Sequence, residues 1–76
     1  MLNFPSRETV RRLREKYPKG TVIRLLCMND MQAPPVGTLG IVRGVDDAGD
    51  LLVAWETGST LKIIYGEDEF EVVSLS

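Results

Sequence analysis

Apolar and polar positions follow two different periods along this chain, and the change falls near residue 20. In the first stretch Val10, Leu13 and Tyr17 recur at spacings of three and four, which places them on one narrow stripe of a helix over about residues 6–17. Ser6 stands where its hydroxyl accepts from the free amides of the first turn, and Glu8 suits the positive end of the helix dipole. Arg7, Arg11 and Arg14 form a second stripe beside the apolar one, with Arg12 and Lys16 across the cylinder. Pro18 disfavours helical geometry at Tyr17 and ends the segment, and Gly20 lets the chain turn. A three-turn helix with so narrow an apolar stripe is marginal in water and needs a neighbour to dock on.

From Thr21 the period becomes two. Ile23 and Leu25 alternate with Val22 and Arg24 in a first strand, and a polar, proline-containing loop follows over residues 29–36. Residues 37–45 read as a second strand, in which Gly40 and Gly44 mark bulges or bends. Asp46-Asp47-Ala48-Gly49 is the composition of a tight hairpin with Gly49 at positive φ. Leu51, Val53 and Trp55 share one face of a third strand, residues 56–59 make a second hairpin, and Leu61 with Ile63 shares a face of a fourth. Residues 65–69 read as a turn and 70–73 as a short fifth strand. Five short, bent strands in one small unit predict a partly open barrel over about residues 21–74 that leaves few edges exposed.

Length supports one domain over residues 1–76: with 43% hydrophobic residues there is material for one small core. A chain this short buries only about 60% of the surface exposed on unfolding, so its stability margin is a few kcal/mol. Cys27 is the only cysteine, which excludes an intrachain disulfide, and its neighbours Leu25, Leu26 and Met28 predict a small buried thiol. With no histidine there is no Ser-His-Asp triad, no Cys-His pair and no zinc ligand set. Apolar runs are short and the N-terminus lacks a basic-then-apolar leader, which predicts a soluble cytoplasmic protein with no membrane partner.

The net charge of −2 hides an asymmetry: residues 1–24 hold seven basic residues against two acidic ones, a balance of +5, and residues 25–76 hold two against nine, a balance of −7. That pattern fits either a basic arm for nucleic acid or a helix docked on an acidic body.

The remaining polar motifs have structural readings. Asp46, Asp47 and Asp50 lack the alternating pattern of a calcium loop, and Thr57 stands where such a loop has its glutamate, so turn chemistry is the reading. Glu67, Asp68, Glu69 and Glu71 have no apolar pocket to raise a carboxyl pKa, and no enzymatic role is assigned to them. Gly37-Thr38-Leu39-Gly40 lacks the Gly-Lys-Ser/Thr ending of a phosphate loop and is strand entry, and Pro34-Pro35 stiffens a loop. Trp55, Tyr65 and Phe70 suggest the aromatic groove of a proline-peptide binder, but Trp55 shares its face with Leu51 and Val53 and is assigned to the core. Tyr65 is left as the exposed aromatic.

Tyr17-Pro18-x-Gly20-Thr21, Met28-x-Asp30-x-Gln32-Ala33-Pro34-Pro35-x-Gly37-Thr38-x-Gly40, Val45-Asp46-x-x-Gly49, and Trp55-x-x-Gly58-Ser59-x-Leu61 with Gly66-x-Asp68-x-Phe70 together resemble a family of small bacterial proteins, domain-of-unknown-function family 4314. The resemblance covers about residues 10–73 and implies a mainly β fold, a small five-stranded SH3-like barrel with an N-terminal amphipathic α-helix, of bacterial, phage or mobile-element origin. It implies no catalytic residue and no cofactor. Where family members have Asp-Asn-Gly after the tryptophan this chain has Glu56-Thr57-Gly58, so only Gly58 is expected at positive φ.

The function expected is an SH3-like interaction or accessory module with a protein partner. Its candidate partner-binding residues are Arg7, Arg11, Arg12, Arg14, Lys16 and Tyr65. The alternatives are a nucleic-acid-associated protein using the basic helix, and a phage- or plasmid-encoded inhibitor of a host nuclease, the last resting on the family's genomic company.

Overall fold

A computed structural model of the chain describes residues 5–75; residues 1–4 and 76 of the expected domain lie outside the described residues. One helix, α1 (Arg7–Lys16), precedes four strands, β1 (Val22–Cys27), β2 (Leu39–Val45), β3 (Leu51–Trp55) and β4 (Glu69–Ser74). The strands form one antiparallel sheet in the order β3-β2-β1-β4.

Each end of α1 is set by the side chains that the sequence places there. Ser6 Oγ accepts from the Thr9 amide at 3.1 Å. Tyr17 caps the other end with non-helical backbone while its amide still donates to the Leu13 carbonyl at 2.8 Å. Gly20 follows at φ 97°, its amide donating to the Val42 carbonyl at 2.8 Å, so the helix exit is hooked directly onto β2. Val10, Leu13 and Tyr17 are all buried against the sheet. Burying such side chains is worth about 1.5–3 kcal/mol each, which outweighs the cost of holding a ten-residue helix that would not persist alone.

The inner face of the sheet supplies Ile23, Leu25, Val42, Val45, Leu51, Val53 and Trp55, joined in the core by Ile63. Trp55 is 3% exposed, its indole N–H donating to the Leu61 carbonyl at 2.8 Å, which confirms its place in the core and satisfies its only polar atom. The ring lies over Gly40, where a Cβ would stand 2.6 Å from Trp55 Cε3 and 2.5 Å from Val53 Cγ1. Gly40 is therefore required by close packing. The bulge in β2 falls between Val42 and Gly44, with Arg43 as the extra residue.

Two expectations are corrected. Among the described residues there are four strands and an open sheet, where a five-stranded barrel is expected. The segment proposed as the fourth strand joins β3 only through an isolated bridge, Leu51 with Ile63, whose amides and carbonyls exchange bonds of 2.9 and 3.0 Å. On either side of that bridge side chains intercept the ladder groups: the Leu61 carbonyl takes the Trp55 indole, the Leu61 amide bonds Ser59 Oγ, and the Ile64 amide bonds the Asp68 carboxylate at 2.7 Å. Cys27, expected to be buried, is exposed. The pairing of β1 with β4 shifts between Leu25 and Cys27, making Leu26 an extra residue, so the alternation that would turn Cys27 inward is lost.

The turns at residues 46–49 and 56–59 both follow their turn chemistry, although only the first joins two strands of the sheet. Gly49 and Gly58 have φ of 83° and 92°, and among the described residues no other residue type adopts positive φ, Thr57 included. Asp46 Oδ1 accepts from the amides of Ala48 and Asp50 at 3.0 and 2.9 Å, which spends that oxygen on closing the turn.

Candidate interaction surfaces

Most of the cations on α1 are committed inside the molecule. Arg11 Nη2 lies 2.7 Å from both oxygens of Glu8, and Arg12 Nε lies 3.7 Å from Glu8 Oε1. These are exposed pairs within one helix, worth about 0.3–0.5 kcal/mol each, but they lower the charge the helix offers to solvent. Arg14 reaches across to the sheet: Nε and Nη2 donate to the Val45 carbonyl at 3.1 and 2.9 Å, and Nη2 lies 3.4 Å from Asp47 Oδ1. That fork ties α1 to the β2–β3 hairpin. Arg7 and Lys16 have no ion-pair partner among the described residues.

The six candidate residues divide among three places. Arg7, Arg11 and Arg14 line one open groove of about 830 Å³ with Pro5, Val10 and Asp47, so the stripe predicted for them is real. Arg12 is not part of that lining. Lys16 and Tyr65 belong to the far end of the helix, where Lys16 Nζ stands 5.4 Å from the centre of the Tyr17 ring. The phenols of Tyr17 and then Tyr65 hold the Lys16 ammonium above its ordinary pKa, while burial, before any other cause, pushes the Tyr17 hydroxyl up.

Around Tyr65 the structure assembles a cluster different from the one considered in the sequence. Trp55 is in the core and Tyr17 takes its place: the Tyr17 ring lies 5.9 Å from Tyr65 and 5.2 Å, edge-on, from Phe70, with Tyr65 and Phe70 6.5 Å apart. Between them is a pocket of about 350 Å³ whose lining includes Leu26, Asp68 and Glu69. Tyr65 and Leu26 are both exposed, so the aromatic and aliphatic surface here is open to solvent. Spacing along the chain identifies Tyr65. Tyr17 is legible only as the last residue of an apolar helix stripe, and nothing in the sequence shows that Pro18 and Gly20 fold it back toward residue 65.

The acidic side of the molecule is largely occupied in holding turns. Lys62 Nζ lies 3.1 Å from Asp46 and 3.8 Å from Asp50. Burial pushes the Asp46 pKa up, but the Asp50 amide, the Lys62 ammonium and the Ala48 amide outweigh it, and the net direction is down. Glu71 pairs with Arg24 on β1 at 2.7 Å, and Asp68 holds the Ile64 amide. Among the described residues no helix is long and apolar enough to cross a membrane.

The sequence profile of the family described as Domain of unknown function (DUF4314) matches residues 6–73, and the chain belongs to that family. Comparison with curated proteins and with solved structures gives no match.

Proposed function

We propose that this member of DUF4314 is a non-catalytic protein-interaction module. The observation that carries the reading is the internal commitment of the helix cations: Arg11 and Arg12 share Glu8, and Arg14 is spent on the Val45 carbonyl and Asp47. A surface that reads phosphates needs several unpaired cations on one face, because each contact made contributes to affinity through counterion release. The two cations without a partner among the described residues, Arg7 and Lys16, stand at opposite ends of α1. Exposed apolar and aromatic side chains, Tyr65 and Leu26 among them, give a protein partner something to bury.

A second reading, nucleic-acid association, is favoured by one observation: Arg7, Arg11 and Arg14 line a single groove. The two readings separate when the tagged protein is recovered from its native host with and without nuclease treatment. A stoichiometric protein partner that survives nuclease supports the interaction module. Recovery of nucleic acid, with every co-purifying protein lost on nuclease treatment, overturns it.

A further inference from the structure

The order β3-β2-β1-β4 leaves two outer strands, and they are not equally open. The outer side of β3 is partly closed by the two-bond bridge between Leu51 and Ile63. Among the described residues β4 pairs with β1 alone. Its other side presents a row of backbone amides and carbonyls, which sheet proteins ordinarily guard with charged side chains, lysine above all, with proline or with a bulge; here the charged residues are Glu69 and Glu71. Residues 69–74 contain neither lysine nor proline. The register with β1 shifts twice, at Val73 on β4 and at Leu26 on β1 opposite Phe70 and Glu69, so residues 69–72 themselves contain no extra residue.

The side chains of that stretch divide by face. Phe70 and Val72 stand opposite Leu25 and Ile23 of β1, while Glu69 and Glu71 stand opposite Cys27 and Arg24. One face of the edge is therefore apolar, with Val72 41% exposed, and the other carries Glu69 beside the Arg24–Glu71 ion pair. At the start of β4 the pocket bounded by Tyr65, Leu26 and Phe70 adds aromatic surface with Asp68 and Glu69 on its rim. Lys16 over the Tyr17 ring is an example, within the chain, of an ammonium accommodated by this cluster.

We infer that the free edge of β4 takes an extended segment of a partner protein as an added strand, and that the segment alternates basic and apolar residues. This deepens the interaction-module reading and rests on it. Main-chain bonds to residues 69–72 supply affinity, and alternation supplies specificity: apolar side chains meet Phe70 and Val72, while Lys or Arg meets Glu69, Glu71 being already paired with Arg24. An acidic segment would set like charges opposite each other.

The test is an NMR titration of the whole chain with a blocked eight-residue peptide alternating Lys and Val. Glu–Val and backbone N-methylated Lys–Val peptides are titrated in parallel. The Lys–Val peptide is expected to shift the amides of residues 69–72 and slow their hydrogen exchange. Val72→Lys, which guards the edge, is expected to weaken binding about tenfold or more while Trp55 fluorescence reports an intact fold. No perturbation at millimolar peptide, shifts centred on α1, equal binding of the Glu–Val peptide, or equal binding of the N-methylated peptide each overturn the inference. If Val72→Lys still retains the nuclease-resistant partner, β4 is overturned as the surface and the interaction module stands.

Discussion

Gly40→Ala adds one methyl group to a buried position, and its consequence follows from two distances. The new Cβ would sit 2.5 Å from Val53 Cγ1 and 2.6 Å from Trp55 Cε3, well inside carbon–carbon contact, and both neighbours are 3% exposed. Neither can move outward freely, since Val53 is held in β3 and the Trp55 indole is tied to the Leu61 carbonyl. Gly40 has no positive φ, so backbone strain does not enter. Overpacking of a well-filled core costs about 1–3 kcal/mol, and the loss of glycine flexibility in the unfolded chain returns about 0.4–1 kcal/mol. The net expectation is a destabilisation centred on about 1 kcal/mol and reaching about 2.6 kcal/mol, with each kcal/mol lowering Tm by roughly 4–8 °C for a domain of this size. Urea unfolding followed by fluorescence of the single tryptophan measures both the stability and the local environment. The ring must shift to admit the methyl, so the folded-state emission moves as well. A variant as stable as the parent, with unchanged Trp55 emission, refutes the argument that close approach of the indole selects glycine here.

Three further outcomes follow from the same geometry. Leu13→Asp puts a charge into the contact between α1 and the sheet, so heteronuclear NMR is expected to show residues 7–16 becoming mobile on the nanosecond scale; an α1 that stays rigid contradicts docking through Leu13. Trp55→Ala is expected to cost about 3–5 kcal/mol, against much less for the exposed Tyr65→Ala, with equal small losses in urea melts counting against a core tryptophan. The folded pKa of Asp46 lies below its ordinary 3.8, so its contribution is present above that value and is lost as pH falls below it through the folded pKa. Asp46→Asn is therefore expected to flatten the acid limb of the stability–pH curve, and an unchanged limb would show that Asp46 is not held ionised by the turn and Lys62.

Where a local rule acts alone, the sequence was a sufficient guide. Ser6 before the helix, Pro18 after Tyr17, Gly49 and Gly58 in the turns, and the alternation of Leu51, Val53 and Trp55 each depend on a few neighbouring residues. The errors arise where distant groups compete. Leu61 and Ile63 alternate as a strand should, but the Trp55 indole and the Asp68 carboxylate claim the backbone groups a ladder would use. Cys27 follows the pattern of Leu25 until a bulge at Leu26 shifts the register, and bulges leave no dependable mark on hydrophobicity. The candidate surfaces show the same division. The arginine stripe is a helical periodicity and was legible, whereas the acceptor that anchors Arg14 is a backbone carbonyl at Val45, a group every residue carries. Tyr65 could be named as an exposed aromatic, but its association with Tyr17 and Phe70 depends on how the helix docks.

The central claim is that Arg11, Arg12 and Arg14 serve the molecule's own structure, which is the ground for proposing a protein as the partner. The most direct measurement is duplex DNA binding across a salt series, for the parent and for the triple variant Arg7→Ala, Arg11→Ala, Arg14→Ala. The account predicts negligible binding by the parent at about 0.15 M salt, because a chain of net charge −2 whose Arg11, Arg12 and Arg14 are paired has no long-range attraction for a polyanion. It also predicts lower stability for the triple variant, which loses the Arg14 bonds to Val45. Micromolar binding by the parent, with a log–log salt slope of about −0.9 per phosphate contact that the folded triple variant flattens by up to about three units, would contradict the claim.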